Sequence, residues 1–148
     1  MVRDPGTAIK PVEATNQDGE RVTVSFMEPT VLYFYPRDDT PGCTVESTEF
    51  DDHLTAYQDA GVEVYGVSTD DAESHGAFAQ KEGLDVSLLA DPDAVIAEAF
   101  DVPVTNGATA RTTFVCARQQ VCGVYEGVQP EGHASAVLAD MRQMSLVE

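Results

Sequence analysis

Short apolar runs alternate along this chain with amphipathic stretches of helical period. A continuous apolar strand is predicted at 30–35, which is typical of the centre of a sheet. The run at 21–25 alternates and follows the turn-like Gln17-Asp-Gly19, so it predicts one arm of an N-terminal β-hairpin. Further strands are predicted at 62–68, 86–89, 112–117 and 121–125.

Four helices are predicted from apolar residues at i, i+3 and i+4 spacing. Gly61 ends the first, and the capping-box pattern Asp70-Asp-Ala-Glu73 opens the second. The order of strands and helices favours a mixed sheet covered by helices, and therefore an α/β fold. The helices are predicted at 43–60, 70–82, 91–100 and 134–144, and a loop at 102–111.

The chain has 148 residues, which predicts a single domain spanning 1–148. It carries 26 acidic residues against 8 basic ones, for a net charge of −18. Nucleic acid and anionic membranes need a basic surface, so neither is an expected partner. We interpret the acidic surface as halophilic. No apolar stretch reaches the roughly 20 residues that span a bilayer, and no signal segment is evident, so we expect a cytoplasmic protein.

Candidate chemistry begins where the strand at 30–35 stops. Thr40 and Pro41 fit the N-cap and first position of the next helix, which places Cys43 in its first turn. The free N–H groups and the positive end of the helix dipole there favour a thiolate, which is the nucleophilic form of cysteine. Local physics leaves two interpretations open, an inert cysteine near a capped helix start or a reactive one.

The spacing Pro36-x-x-x-Thr40-x-x-Cys43 resembles the active-site signature of the peroxiredoxins. The fuller string from Phe34 to Glu46 is similar to the peroxiredoxin Q group, also called bacterioferritin comigratory proteins, and the resemblance extends from about residue 6 to about residue 141. It implies a thioredoxin-like fold, with a mixed central sheet flanked by helices and an N-terminal hairpin. It also implies thiol-dependent reduction of hydrogen peroxide and organic hydroperoxides, without a cofactor or metal.

The resemblance also implies roles for individual residues. Cys43 would attack the peroxide and become a sulfenic acid, Thr40 would orient the peroxide, and Arg111, just before the strand at 112–117, would supply a cation. The alternative for Arg111 is an ordinary cation at a strand end.

Support for that reaction would come from the residues next to the thiol. Pro36 belongs to the signature, Pro41 would shield the sulfur, and backbone N–H groups of Gly42 and Cys43 would bind the oxygens. Glu46, one turn after the cysteine, would support the loop by hydrogen bonding.

Resolution of the sulfenic acid departs from the common pattern of the group. Many members carry a second cysteine five residues after the first, where this chain has Thr48, and others carry one in the next helix, here 74–81, which has none. We therefore expect a one-cysteine enzyme that uses an external thiol or a thioredoxin-like reductant.

Two further cysteines leave alternatives open. With a three-residue turn at 118–120, Cys116 would face Cys122 across a hairpin, near disulfide range. They are then either two small core residues or a secondary redox pair. Their apolar surroundings favour neutral thiols, so neither is expected to be the primary nucleophile.

Other functions and features remain as alternatives. A thioredoxin-type thiol–disulfide partner normally needs Cys-x-x-Cys, and position 46 is Glu; a peroxide sensor would share the same site. The three histidines, His53, His75 and His133, lack metal-ligand spacing and are expected at the surface or its boundary. A monomer or weak dimer is expected.

Overall fold

Nine strands and five helices make up the computed structural model, which describes residues 3–144. The strands are β1 (Val12–Asn16), β2 (Arg21–Val24), β3 (Thr30–Phe34), β4 (Glu63–Ser68), β5 (Ser87–Ala90), β6 (Val104–Thr105), β7 (Ala108–Thr109), β8 (Thr112–Ala117) and β9 (Gln120–Glu126). The helices are α1 (Pro41–Asp52), α2 (Leu54–Asp59), α3 (Ala72–Glu82), α4 (Val95–Ala99) and α5 (His133–Gln143). None of the helices within the described residues is long and apolar enough to cross a membrane.

Seven of the strands form one mixed sheet in the order β2-β1-β5-β4-β3-β8-β9. Strands β3, β4 and β5 run parallel, whereas β8 pairs antiparallel with β3 and places Thr112 opposite Phe34. The central position of β3 explains why all five of its residues are buried. The predicted α/β fold and N-terminal hairpin are confirmed, the hairpin being β1 and β2.

Successive side chains of β3 alternate between two hydrophobic cores, one on each face of the sheet. Tyr33 stacks on Phe50 of α1 with ring centroids 4.4 Å apart, in a cluster that also takes in α2, α3 and α5. Phe34 packs with Phe100 and Phe114 on the other face, where α4 lies. Helices therefore cover both faces of the sheet, as the sequence pattern predicts.

The hairpin between β8 and β9 differs from its prediction. Its turn is two residues long, Arg118 and Gln119, both with positive φ, and Ala117 pairs with Gln120. A bulge between Val115 and Cys116 then shifts the register. The predicted three-residue turn is therefore wrong, and the cysteines of this hairpin are not opposite each other.

Three smaller predictions also need correction. The helix predicted at 43–60 divides at His53 into α1 and α2. The cap of α3 is Asp71, whose carboxylate accepts the N–H of Ser74 at 2.8 Å, so the capping box at Asp70 is wrong by one residue. The predicted loop at 102–111 contains the short hairpin β6–β7.

Candidate active site

The end of β3 delivers Cys43 to the first turn of α1. Tyr35 still donates its N–H to the Val67 carbonyl, and the chain then leaves the sheet at Pro36, which has no N–H to continue the ladder. Thr40 is extended, with φ −104° and ψ 153°, and Pro41 begins the helix. Cys43 follows at the third helical position and is completely buried.

Arg111 contacts both the thiol and a buried carboxylate. Its Nη2 lies 3.3 Å from Cys43 Sγ, and its Nη1 donates to Glu46 Oε1 at 2.7 Å. The planar fork of a guanidinium allows these two contacts at once, whereas a single ammonium would serve one. Burial lowers the pKa of Arg111, but the neighbouring Glu46 and Cys43 outweigh that effect and raise it, so the side chain remains a cation beside the sulfur.

Glu46 is a carboxyl group in a dry position. Its side chain is fully buried, and within residues 3–144 its Oε2 has no hydrogen-bond partner. Burial raises its pKa to about 7, although Arg111 pulls in the other direction. Glu46 therefore changes its charge near neutral pH, directly behind the arginine that touches the thiol.

Gly42 makes room for the arginine. A Cβ at this position would lie 3.1 Å from Arg111 Nη2 and 3.7 Å from Pro130 Cγ. The first distance is tighter than ordinary van der Waals contact, so a side chain would push the guanidinium or the helix start aside. The bare backbone of Gly42 thus allows the cation to approach Cys43.

Thr40 and the loop before it complete the surroundings of the thiol. The Thr40 hydroxyl makes no cap bond to α1 and donates instead to the Arg37 carbonyl at 3.1 Å. Its oxygen lone pairs are left available to accept a hydrogen bond. Arg37 is exposed and donates a hydrogen bond to the Asn106 carbonyl, so part of its guanidinium binds outside the site.

The structure does not bring the other two cysteines to Cys43. Cys116 pairs with Thr30, at the opposite end of β3 from the Cys43 loop, and the five residues from Arg111 to Cys116 span about 17 Å of strand. Cys116 belongs to one core and Cys122 packs against the other, so they lie on opposite faces of the sheet. All three thiols are free. The geometric basis for a Cys116–Cys122 pair is therefore wrong.

Burial also raises the pKa of Cys116 to about 12, with a smaller contribution from Cys122. A thiol of that kind stays protonated near neutral pH and is a poor nucleophile. This agrees with the expectation that Cys116 is not the primary nucleophile.

Sequence reasoning missed two histidines near the site. His133 is buried, shares a hydrogen bond of 2.9 Å with Thr113 Oγ1, and has its pKa lowered to about 4 by burial and by the charge of Arg111. His75 is completely buried and contacts Asp38 at 2.7 Å. The expected location at the surface or its boundary is wrong for His75, whereas His133 is 8% exposed. The nearest signal was the apolar spacing around each residue on its helix.

Two surface cavities, of about 440 and 480 Å³, lie along β1 and α4 and include neither Cys43 nor Arg111. We place the candidate site at the buried thiol because it joins a nucleophile to a cation.

Solved structures share this architecture over almost the whole chain. The "PrxQ C47S Mutant" of Xylella fastidiosa superposes with a TM-score of 0.89 at 28% identity, covering 96% of this chain and 97% of that one. The bacterioferritin comigratory protein of Xanthomonas campestris gives 0.84 at 32% identity, covering 90% and 92%. The fold is thus the thioredoxin-like fold of the peroxiredoxins, and the cysteine and arginine lie together within it.

Sequence comparison identifies the family and the group to which the chain belongs within the peroxiredoxins. The model of the AhpC/TSA family matches residues 5–122. The chain is 41% identical over 129 residues to "Peroxiredoxin Q, chloroplastic" of Triticum aestivum, covering 83% of this chain and 59% of the wheat protein. It belongs to the AhpC/TSA family, in its peroxiredoxin Q and Bcp group, which confirms the resemblance noted in the sequence. The chain spans about three fifths of the length of such plant relatives.

Proposed function

We propose that this protein is a thiol-dependent peroxidase that reduces hydrogen peroxide and organic hydroperoxides through a sulfenic acid on Cys43. The observation that supports it most is the contact of 3.3 Å between Cys43 Sγ and Arg111 Nη2 in the first turn of α1. A cation and free helix N–H groups lie together at one sulfur and face the place where negative charge develops in the reaction.

In the proposed reaction the Cys43 thiolate attacks one peroxide oxygen. The S–O bond forms as the O–O bond breaks, and the second oxygen leaves as hydroxide or alkoxide and takes a proton from water. Arg111 stabilises the charge on the leaving oxygen, and the N–H groups of Gly42 and Cys43 hold the peroxide. Thr40, whose hydroxyl already donates to Arg37, accepts a hydrogen bond from the peroxide O–H.

The supporting residues keep this arrangement in place. Glu46 holds one arm of the Arg111 fork, so the other arm points at the sulfur. Pro41 and Pro36 bracket the loop and restrict its backbone, and Pro41 shields the sulfur from water. We propose that these residues position the reaction and do not exchange protons with the substrate.

We further propose that an external thiol resolves the sulfenic acid. One thiol would attack the Cys43 sulfur, releasing water and leaving a mixed disulfide; a second thiol would release the Cys43 thiolate and form the reductant's disulfide. The separation of Cys116 and Cys122 from the site supports this one-cysteine cycle. A secondary redox pair would need the β8–β9 hairpin to rearrange.

The relatives support the substrate class. The Xanthomonas campestris structure is described by its "Alkyl Peroxide Reduction Activity", which motivates our proposal that organic hydroperoxides are substrates here. The cytoplasmic location, the halophilic interpretation and the monomer or weak dimer stay predictions.

Mass spectrometry tests the cycle. The reduced protein, in high salt, receives one equivalent of hydrogen peroxide in the presence of a sulfenic-acid trap. We expect the adduct on Cys43, with Cys116 and Cys122 unmodified, and no adduct in the matched Cys43→Ser variant. A disulfide from Cys43 to either other cysteine would overturn the one-cysteine cycle.

Turnover separates the peroxidase from the alternatives. We expect repeated peroxide consumption with a small thiol or a thioredoxin-like protein as the reductant. Fast oxidation of Cys43 without turnover by any thiol would favour a peroxide sensor. Oxidation no faster than that of free cysteine would refute both.

A further inference from the structure

The loop before α1 is held by a buried polar cluster that the proposed mechanism does not use. The Asp38 carboxylate accepts the Tyr35 hydroxyl at 2.6 Å and the Ser74 hydroxyl at 2.7 Å. His75, completely buried in α3, places its Nδ1 2.7 Å from Asp38 Oδ2. The Asp38 N–H donates to Asp70 Oδ2, also at 2.7 Å. The loop is thus fastened both to α3 and to the segment after β4.

Both ring nitrogens of His75 face acceptors. Nε2 lies 3.0 Å from the carbonyl oxygen of Leu89, which can only accept, so Nε2 carries a proton. Nδ1 faces Asp38. Burial raises the pKa of Asp38, but the hydrogen bond and charge of His75, together with the hydrogen bonds from Tyr35 and Ser74, outweigh burial and lower it overall. Asp38 is therefore a carboxylate, which holds His75 through Nδ1 while the Leu89 carbonyl holds it through Nε2.

This arrangement is a structural clamp and not a metal site. Ligand atoms of Asp38, Asp70 and His75 lie within 4.8 Å of one another. However, both ring nitrogens of His75 already contact protein acceptors, Nδ1 with Asp38 and Nε2 with the Leu89 carbonyl. Ser68 also donates to Asp70 Oδ2 at 2.7 Å, so the carboxylates are satisfied by protein groups.

We propose that His75 is a positioning residue for the peroxide reaction, because its bond to Asp38 fixes the loop that carries Thr40 and Pro41 over the thiol. This inference rests on the proposed function. Asp38 is two residues before Thr40, so a shift of its carboxylate moves the hydroxyl that receives the peroxide. A misplacement of about 1 Å costs on the order of 100-fold in rate.

A matched pair of variants isolates the contact. His75→Asn keeps an N–H donor near the position of Nδ1, toward Asp38, and loses the contact with Leu89. His75→Gln reaches the position of Nε2, toward Leu89, and loses the contact with Asp38. We expect the second-order rate constant with hydrogen peroxide to fall about tenfold or more in His75→Gln and less than about threefold in His75→Asn.

Stability and fold controls accompany the rates. Urea midpoints and far-UV circular dichroism are measured for both variants, because a purely structural role would make the rate follow stability in either one. Equal losses in the two variants, or no loss in either, would overturn the proposal. If neither variant folds, Ser74→Ala removes one donor from the same carboxylate oxygen; a slower peroxide reaction supports the proposal and an unchanged rate overturns it.

The wild-type protein distinguishes this inference from its foundation. A wild-type Cys43 that reacts no faster than free cysteine refutes the proposed function and the inference with it. A fast wild-type reaction with indistinguishable His75→Asn and His75→Gln rates refutes the inference alone.

Discussion

Replacement of Arg111 by alanine is the sharpest test of the site. The change removes two bonds of the guanidinium, one to Cys43 Sγ at 3.3 Å and one to Glu46 Oε1 at 2.7 Å. The contact with Cys43 acts in the reaction, whereas the bond to Glu46 also stabilises the fold. The prediction must therefore separate a loss of rate from a loss of stability.

The size of the expected rate decrease follows from the negative charge that develops on the leaving oxygen. Loss of one preorganised donor to a developing oxyanion typically costs 10²–10³ in rate, or about 2.7–4 kcal/mol. We expect a decrease of that size in the rate constant of Arg111→Ala with hydrogen peroxide. Alkylation of Cys43 by a neutral reagent develops no oxyanion, so it reports only the thiolate, and we expect it to fall by about tenfold or less.

The magnitude for stability follows from the buried partner. Above the pKa of Glu46, which is about 7, Arg111→Ala leaves a fully buried carboxylate without its cation, and breaking such a buried pair costs about 3–5 kcal/mol. The side chain of Arg111 is 18% exposed, which places the expected cost toward the lower end. Urea unfolding measures it, and rates are taken only where the variant is fully folded.

Arg111→Lys is the matched control, because it keeps the charge but not the fork. One ammonium cannot contact Glu46 Oε1 and Cys43 Sγ in the geometry of two nitrogens, so we expect a rate between those of wild type and Arg111→Ala. Equal losses for peroxide and for the alkylating reagent would refute the reasoning. Arg111 would then only favour the thiolate and would not stabilise the leaving oxygen.

Three further outcomes are expected. Gly42→Ala should slow the peroxide reaction about threefold to tenfold, because a Cβ 3.1 Å from Arg111 Nη2 pushes the guanidinium away from its place beside Cys43; a normal rate would refute the packing argument. Folding raises the pKa of Glu46 from 4.5 to about 7, so protonated Glu46 contributes up to about 3 kcal/mol of stability that is complete below pH 4.5 and lost as the pH rises through 7. The free energy of unfolding, measured from pH 4.5 to 8, should therefore fall with pH in the wild type and fall less in Glu46→Gln. The same pH dependence in both proteins would contradict this. With a net charge of −18, the thermal midpoint should rise from 0.1 M to about 2 M KCl, and a flat response would argue against the halophilic interpretation.

Most strands of the main sheet, in their succession along the chain, were predictable because their hydrophobic pattern is local, whereas the short β6 and β7 were not. The β8–β9 register was not, since neither Arg118 nor Gln119 signals a two-residue turn with positive φ, and the bulge at Cys116 leaves no mark in composition. The break at His53 was likewise hidden within a continuous helical pattern.

The residues of the site likewise divide into those that the local sequence pattern predicted and those that it did not. The first-turn position of Cys43 followed from the strand, the proline and the helix start, whereas Arg111 was proposed through the family resemblance, because a residue 68 positions away cannot be paired by local pattern. His75 was missed because its partners, Asp38 and Leu89, come from two other segments that only the fold brings together.

The pairing of Phe34 with Thr112 makes the site a property of strand alignment rather than of chain continuity. Phe34 leads into the thiol loop and Thr112 follows Arg111, so this one rung of the ladder sets the separation of sulfur and cation. A slip of two residues would carry the arginine about 7 Å away while keeping every side chain on its own face. Conversely, residues inserted at the exposed turn around Gly19, or chain termini moved to that turn by circular permutation, should leave the site intact. That turn is therefore a suitable place to insert a reporter sequence.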